Sequence, residues 1–286
     1  MTAVLARGVE MGEMQFNKKW GEAGRADDGR GDRLPTGRSV PERTVMGRIS
    51  SIVDAFDCGQ QVLSLGDLSD RTSLPKSTLH RLAEQLCQTG WIERDPGGYR
   101  VGLRLFELGS LAVEGSRLRE VAVPHLQALA SKTGMSAQLG ILDRGEVVYL
   151  ERVTLGPLRI PTRRGGRNPV YCTGLGKAMA AYDDEVIRSL TFTELPRRTA
   201  QTITDAVVLR SEFNQIRKAG VALDRGEAYD GVVCVAAPIR GTRGAIGAVS
   251  VTGQVGRMPW GTAAEAVSAA ATAVWNATLK VGPAGP

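Results

Sequence analysis

The sequence predicts an α+β protein of two folded parts, a winged helix-turn-helix followed by a larger domain built on a mainly antiparallel sheet. Three observations carry this. Between Thr44 and Gly90 apolar residues recur three times at helical spacing, and two short extended segments then flank a turn made of Asp95, Pro96, Gly97 and Gly98. Beyond Arg119, extended segments with turn residues come first, helical patterns next and extended segments again last. With 286 residues, 42% of them hydrophobic and 23% charged, the chain has globular composition and length for about two domains.

Residues 1–43 carry 8 Lys/Arg against 7 Asp/Glu, many glycines and no apolar period. Such a segment buries too little apolar surface to offset its ordering entropy, so a disordered, dispensable arm is expected. From Thr44, Val45, Ile49, Ile52, Val53 and Phe56 form one helical stripe, broken by Cys58, Gly59 and Gln60. Leu63 and Leu65 lead into a short second helix over 67–72. Ser73 then stands in the inter-helix turn, where such motifs often place glycine to reach a left-handed backbone. Pro75 suits the first turn of a third helix, whose apolar face is Leu79, Leu82, Ala83 and Leu86. Gly90 ends it, and 91–94 with 99–102 make the two-stranded wing, closing a domain over 44–102.

Leu103, Leu105, Phe106, Leu108, Leu111 and Val113 form another helical stripe with little polar relief. A linker helix over 103–119 is expected, either packed on the winged domain or paired with its copy in a second chain. A domain over 120–286 follows. Its strands are expected at 137–142, 146–153 (turning at Asp143, Arg144 and Gly145), 158–162, 232–239 and 245–252, the last two joined by 241–244. Its helices are expected at 120–132, 175–182, 184–190, 205–219 with Gly220 as C-cap, and 261–279.

Several function classes drop out. The longest apolar stretch, 231–251, is cut by Arg240 and Arg243, short of the roughly 18 residues a spanning helix needs, and the first 25 residues lack a signal-peptide core. A cytoplasmic chain with no membrane association is expected. Cys58, Cys87, Cys172 and Cys234 form no CxxC pair, and His80 and His125 are the only histidines, so no metal site or cofactor is expected and histidine-dependent catalysis has few candidates, while carboxylate, lysine or cysteine chemistry stays open. The net charge of +6 does not by itself indicate nucleic acid. The excess lies late in the chain, and residues 44–105 balance at 7 against 7.

Local arrangement is more telling. On the third helix Lys76, Ser77, Thr78, His80 and Arg81 lie off the apolar face and near the N-terminus, where recognition helices meet base edges. Arg81 has the fork for guanine, Ser77 and Thr78 serve bases or phosphates, and Lys76 suits phosphate. In the wing, Arg94 and Arg100 bracket Gly97 and Gly98 and are candidates for flanking DNA contacts. The competing reading of either set is a solvated polar surface. In the second domain the two-residue strand period puts Val232 and Cys234 on one face, and Ser250 and Thr252 on one face; an isolated cysteine such as Cys234 is otherwise a small buried hydrophobe. Arg159, Arg163, Arg164 and Arg167 form a basic run that could attract an anionic effector or simply decorate a mobile loop, and the loop is the favoured reading.

The stretch from Leu68, LSDRTSLPKSTLHRLAEQLCQTGWIERDPGGYRVGLRLFELG, closely resembles the DNA-binding half of the isocitrate lyase regulator (IclR) family of bacterial transcription factors. Gly220, Asp224, Glu227, Cys234, Val235, Ala236 and Ile239 reproduce the GxxxDxxE and Cys-centred pattern of that family's effector domain, and CTGLGKAMAAY from Cys172 is similar to its pocket loop and following helix. The match departs at Arg240 and Gly241, where the family more often carries an aromatic or His followed by Asp or Asn. Over about 44–280, the resemblance implies a winged domain, a linker helix and an effector domain of GAF-like or PAS-like fold, assembled as a dimer or dimer of dimers on double-stranded operator DNA. It also implies effector contacts from Ile160, Gly174, Leu175, Asp224, Val232, Cys234, Ser250 and Thr252.

The expected function is therefore a ligand-responsive transcriptional regulator answering to a small carboxylate-containing metabolite. A DNA-binding architectural protein whose second domain only oligomerises is the alternative. An enzyme with Cys234 or Cys172 as nucleophile and His125 as base is disfavoured, because no nucleophile motif surrounds either cysteine.

Overall fold

The computed structural model describes residues 44–56, 60–114, 116–155, 158, 160–242 and 244–280, without the side chains of 113 and 114. The expected arm over 1–43, the helix break at Cys58 and Gly59, the side chain of Val113, and Arg159 and Arg243 lie outside the described residues. The described chain forms two compact units divided at residue 115.

In the first, winged unit, α1 (Val45–Asp54) is capped by Thr44, whose Oγ1 accepts from the Gly47 N–H at 3.0 Å. Ile52 is fully buried and Phe56 packs from just beyond the helix, but Val45 is exposed, so the apolar stripe begins one turn later than its spacing suggests. A strand absent from the sequence reading, β1 (Val62–Leu63), precedes α2 (Leu65–Thr72). That helix starts two residues earlier than expected, because Ser64 and Asp67 form a reciprocal capping box with bonds of 3.1 and 2.8 Å. Ser73 does take the left-handed conformation, φ 57° and ψ 18°, at the steric cost a non-glycine bears there. Pro75 is the N-cap of α3 (Lys76–Gln88) rather than inside its first turn.

The wing consists of β2 (Ile92–Asp95) and β3 (Gly98–Val101), with β1 on the far edge of β3. Gly98 has φ 143°, and a Cβ there would lie 2.2 Å from the Leu63 carbonyl oxygen; only glycine lets β1 close on the turn. Ile52, Leu63, Leu68, Leu79, Leu82, Leu86, Ile92 and Tyr99 fill one core, each fully buried large side chain contributing about 1.5–3 kcal/mol. Then α4 (Leu103–Glu114) follows, with the Leu103 N–H bonded to Glu93. The continuous linker helix over 103–119 is not observed. One helix is described to Glu114, and α5 (Arg117–Thr133) starts afresh under its own cap, the non-helical Ser116.

The second, sheet unit has six antiparallel strands in the order β6-β5-β4-β9-β8-β7: β4 (Ser136–Asp143), β5 (Glu146–Val153), β6 (Arg167–Pro169), β7 (Ala222–Asp224), β8 (Val232–Gly241) and β9 (Gly244–Gln254). The β4–β5 turn carries Arg144 and Gly145 at positive φ, as a tight hairpin requires. The described residues of the strand expected over 158–162, namely 158 and 160–162, are not in a strand; β5 takes its outer partner from Arg167–Pro169 instead. On one face, Ala137, Leu139, Val235, Val249 and Val251 pack under α5 and α9 (Trp260–Lys280). On the other, Tyr149, Ala236 and Ala248 pack under α6 (Gly174–Ala180) and α8 (Ala206–Ala219), with α7 (Asp184–Phe192) between these two in sequence. Gly220 is left-handed and closes α8 as expected. No described helix is long and apolar enough to cross a membrane.

Candidate functional site

Each unit carries a candidate site of its own. On α3 the buried Leu79, Leu82, Ala83 and Leu86 turn inward, which leaves Lys76, Ser77, His80 and Arg81 exposed and Thr78 half-buried along the first two turns. The five residues expected to meet DNA therefore share the open side of one helix. The wing arginines stand differently. Arg94 is paired with Glu84 of α3 and lies over the Tyr99 ring, and Arg100 is paired with Glu93 at 2.8 Å. These are exposed pairs that salt screens; a wing contact with DNA exchanges Glu84 or Glu93 for a phosphate.

In the sheet unit, strand register assembles a polar band on the face under α6. One rung runs Asp224, Cys234, Thr252, Ser136 across β7, β8, β9 and β4. The next runs Ala222, Ala236, Ser250, Gln138, Arg152. Residues opposite one another in register share a face, so Cys234, Ser250, Thr252 and Asp224 do come together. Gly174 joins them: a Cβ built there would lie 2.9 Å from Cys234 Sγ, so α6 enters against the sheet only because its first residue is glycine. Leu175 faces Gly140, Ile160 is buried in the segment ahead of Thr162, and Val232 is half-buried at the start of β8.

Gln138, which the sequence did not flag, organises this band. It is 2% exposed, takes the Ser250 and Thr252 hydroxyls on its Oε1 at 3.4 and 3.3 Å, and donates from Nε2 to Thr162 Oγ1 at 2.8 Å. Nearby, Tyr229 donates to Asn168 Oδ1 at 2.7 Å and Asn168 Nδ2 to the Tyr149 hydroxyl at 3.2 Å. Buried polar groups must find partners, and here they find one another.

Beside the band sits a charged cluster of which the sequence pattern indicated only Asp224 and Glu227. Lys177 of α6 is wholly buried and bonds Glu227 at 2.6 Å and Glu212 of α8 at 3.2 Å. Burial alone would lower its pKa, but the two carboxylates outweigh that and hold it above the ordinary lysine value. Glu227 is pushed up, chiefly by burial against what Lys177 returns, and its Oε2 is buried without a partner among the described residues. Asp224 accepts from the Gly226 and Glu227 N–H groups at 3.0 and 2.7 Å; burial first and Glu227 second push it up to about 7. A lysine between Gly176 and Ala178 in an otherwise apolar helix was the available signal.

The arginine run is not the free loop that was expected. Arg167 lies on β6 and pairs with Asp143 and, at 3.2 Å, with Glu146, while Arg164 reaches Glu151 at 3.4 Å; carboxylates on β4 and β5 tie the segment down. Burial pushes the Cys172 and Cys234 thiols up to about 12, leaving them protonated and weakly nucleophilic at neutral pH. His125 is on α5, across the sheet from both.

Comparison with known proteins matches both units. The family described as "Bacterial transcriptional regulator IclR C-terminal" matches residues 110–276, and the "IclR helix-turn-helix domain" matches 47–96. The chain is 36% identical over 197 residues to the HTH-type transcriptional regulator XynR of Escherichia coli, covering 67% of this chain and 78% of that protein. It is 32% identical to the glycerol operon regulatory protein of Streptomyces griseus, over 74% of this chain and 85% of the relative. Among solved structures, an IclR homolog from Microbacterium hydrocarbonoxydans complexed with 4-hydroxybenzoate superposes with a TM-score of 0.74 at 28% identity, covering 84% of this chain and all of that one. The α+β class, with a helix-turn-helix unit ahead of an antiparallel sheet unit, holds in these neighbours.

Proposed function

The chain belongs to the IclR family of bacterial transcriptional regulators, and from that premise we propose that it reads a two-fold operator through the open side of α3 as at least a dimer. A small carboxylate-bearing metabolite on the polar band of the sheet unit shifts that binding, because a ligand moves an equilibrium whenever it prefers one arrangement. The observation that carries this is the polar band itself. A sheet that served only to oligomerise would have no use for Gln138, Ser250, Thr252, Cys234 and Asp224 buried together. Binding rather than catalysis is supported by the protonated thiols and by the sheet standing between them and His125.

In this reading Lys76, Ser77, Thr78, His80 and Arg81 meet DNA, with Arg94 and Arg100 exchanging their glutamates for phosphates. Ile160, Gly174, Leu175, Asp224, Val232, Cys234, Ser250 and Thr252 surround the effector. The winged domain spans 44–102 and the effector domain 120–286, with 103–119 linking them. A second copy covers the linker, where Leu103, Phe106 and Leu111 of α4 are each more than half exposed.

The test is operator binding by fluorescence anisotropy on a duplex selected from a random pool. Arg81→Ala is expected to lose about 1–3 kcal/mol and relax preference at one base, and affinity should fall steeply with salt. With 4-hydroxybenzoate as first ligand, followed by other small acids, Ser250→Ala is expected to keep apo operator binding and weaken the ligand response by about 1–3 kcal/mol. Unchanged operator affinity and base preference in Arg81→Ala removes Arg81 from the reading set. Operator binding that no acid alters favours the architectural alternative.

A further inference from the structure

We propose that Arg152 is the anion receptor of the effector site, seating a carboxylate on the Nε–Nη2 edge of its guanidinium; this rests on the effector reading above and names the group that meets the acid. Arg152 is absent from the family-pattern residues, yet register places it in the same rung as Ser250 and Gln138 and on their face. Its Nη1 is occupied, donating to the Thr162 carbonyl and to the Ile160 carbonyl at 3.4 Å. The same Thr162 takes Gln138 on its hydroxyl. Arg152, Gln138 and the segment carrying Ile160 are thus one assembly.

What remains of the guanidinium is the informative part. The Nε–H is buried and meets no acceptor among the described residues. Nε–H and Nη2 point the same way on an arginine, forming the fork that takes a carboxylate bidentately. Glu151, next along the strand, is taken by Arg119 at 2.6 Å and by Arg164. A guanidinium cannot shed its proton, and a half-buried one with an unmet N–H gains from an opposite charge, yet among the described residues Arg152 holds only neutral carbonyls.

The band is therefore electrically polar. Arg152 stands at its β5 end, and Asp224, Glu227 and Glu212 gather at the β7 end around Lys177. An acid enters with its carboxylate toward β5, where the Ser250 and Thr252 hydroxyls can turn from Gln138 to serve it, and with an uncharged remainder toward Cys234.

The test uses the full chain with acetate, benzoate and 4-hydroxybenzoate, each against its primary amide, in wild type, Arg152→Lys and Arg152→Gln. Binding is read by calorimetry, and the Arg152 Nε–H resonance, identified by its loss in Arg152→Lys, by NMR on arginine-labelled protein. Wild type should prefer each acid to its amide by roughly tenfold to a hundredfold. Arg152→Lys should keep part of that preference, Arg152→Gln should lose it, and acids alone should move the resonance. A side chain that merely held the 160–162 segment would weaken acids and amides alike, so the ratio separates the two roles. If acids bind but Arg152→Gln keeps the wild-type ratio, the receptor assignment is wrong and the effector reading stands. If high-millimolar acetate and both aromatic acids leave the resonance and the heat signal unchanged, the receptor assignment fails together with the carboxylate class.

Discussion

Lys177→Met is expected to destabilise the sheet unit by about 3–5 kcal/mol at pH 8, the usual result of stripping one partner from a buried ion pair. Lys177 is the sole described ammonium within bonding distance of Glu227, at 2.6 Å, and it also holds Glu212. Without it Glu227 must stay charged in a dry site or take a proton. Glu227 already titrates above its ordinary value and would rise further. A carboxyl raised in the folded state favours folding at low pH and loses that advantage as pH climbs through the folded pKa, so the deficit should be small at pH 5 and largest at pH 8. Urea unfolding at both values measures it. The double variant Lys177→Met, Glu227→Gln should recover more than half of the loss, since both charges then leave together. Equal urea midpoints for Lys177→Met and wild type at pH 8 would show that the pair contributes nothing.

Asp224→Asn should act in the opposite direction. Asp224 titrates near 7 in the folded chain against a reference value of 3.8, so the folded state holds a proton that the unfolded chain releases. Its contribution is full below about pH 4 and lost as pH rises through about 7. At about 1.4 kcal/mol per pH unit the wild-type loss is of order 4 kcal/mol. Asparagine keeps the Oδ1 acceptor for the Gly226 and Glu227 N–H groups and cannot ionise. The variant should match wild type below about pH 4, exceed it modestly at pH 5 and exceed it most at pH 8. A difference between the two proteins that stays constant from pH 5 to pH 8 would falsify the assignment of that proton to Asp224.

Where periodicity governs, the sequence was readable. The α3 stripe of Leu79, Leu82, Ala83 and Leu86 is buried as its spacing requires, and Ser73 takes the backbone conformation its place in the turn demands. The pairing of Ser250 with Thr252 on one face also followed from a two-residue period, whereas their meeting with Cys234 depends on the β8–β9 register. Illegible elements share a cause. β1 has two residues and β6 and β7 three each, too few to show any period, and they exist only because a longer strand offers them hydrogen bonds. Lys177 and Arg152 take their places through partners far off in sequence: Glu227 lies 50 positions from Lys177, and Gln138 comes opposite Arg152 only once β4 and β5 are in register. A buried cation is a tertiary property, and no local pattern encodes it.

The brevity of β6 and β7 bears on how copies of this chain can meet. These two strands are the outer edges of the six-stranded sheet, each three residues long, and β6 ends in Pro169, which has no N–H to offer. An incoming strand would find almost no backbone ladder to extend, which is how natural sheets avoid templating aggregates. Along β6 and β7 themselves, a contact between copies has side chains to work with and little ladder, and side chains are what point substitutions can tune.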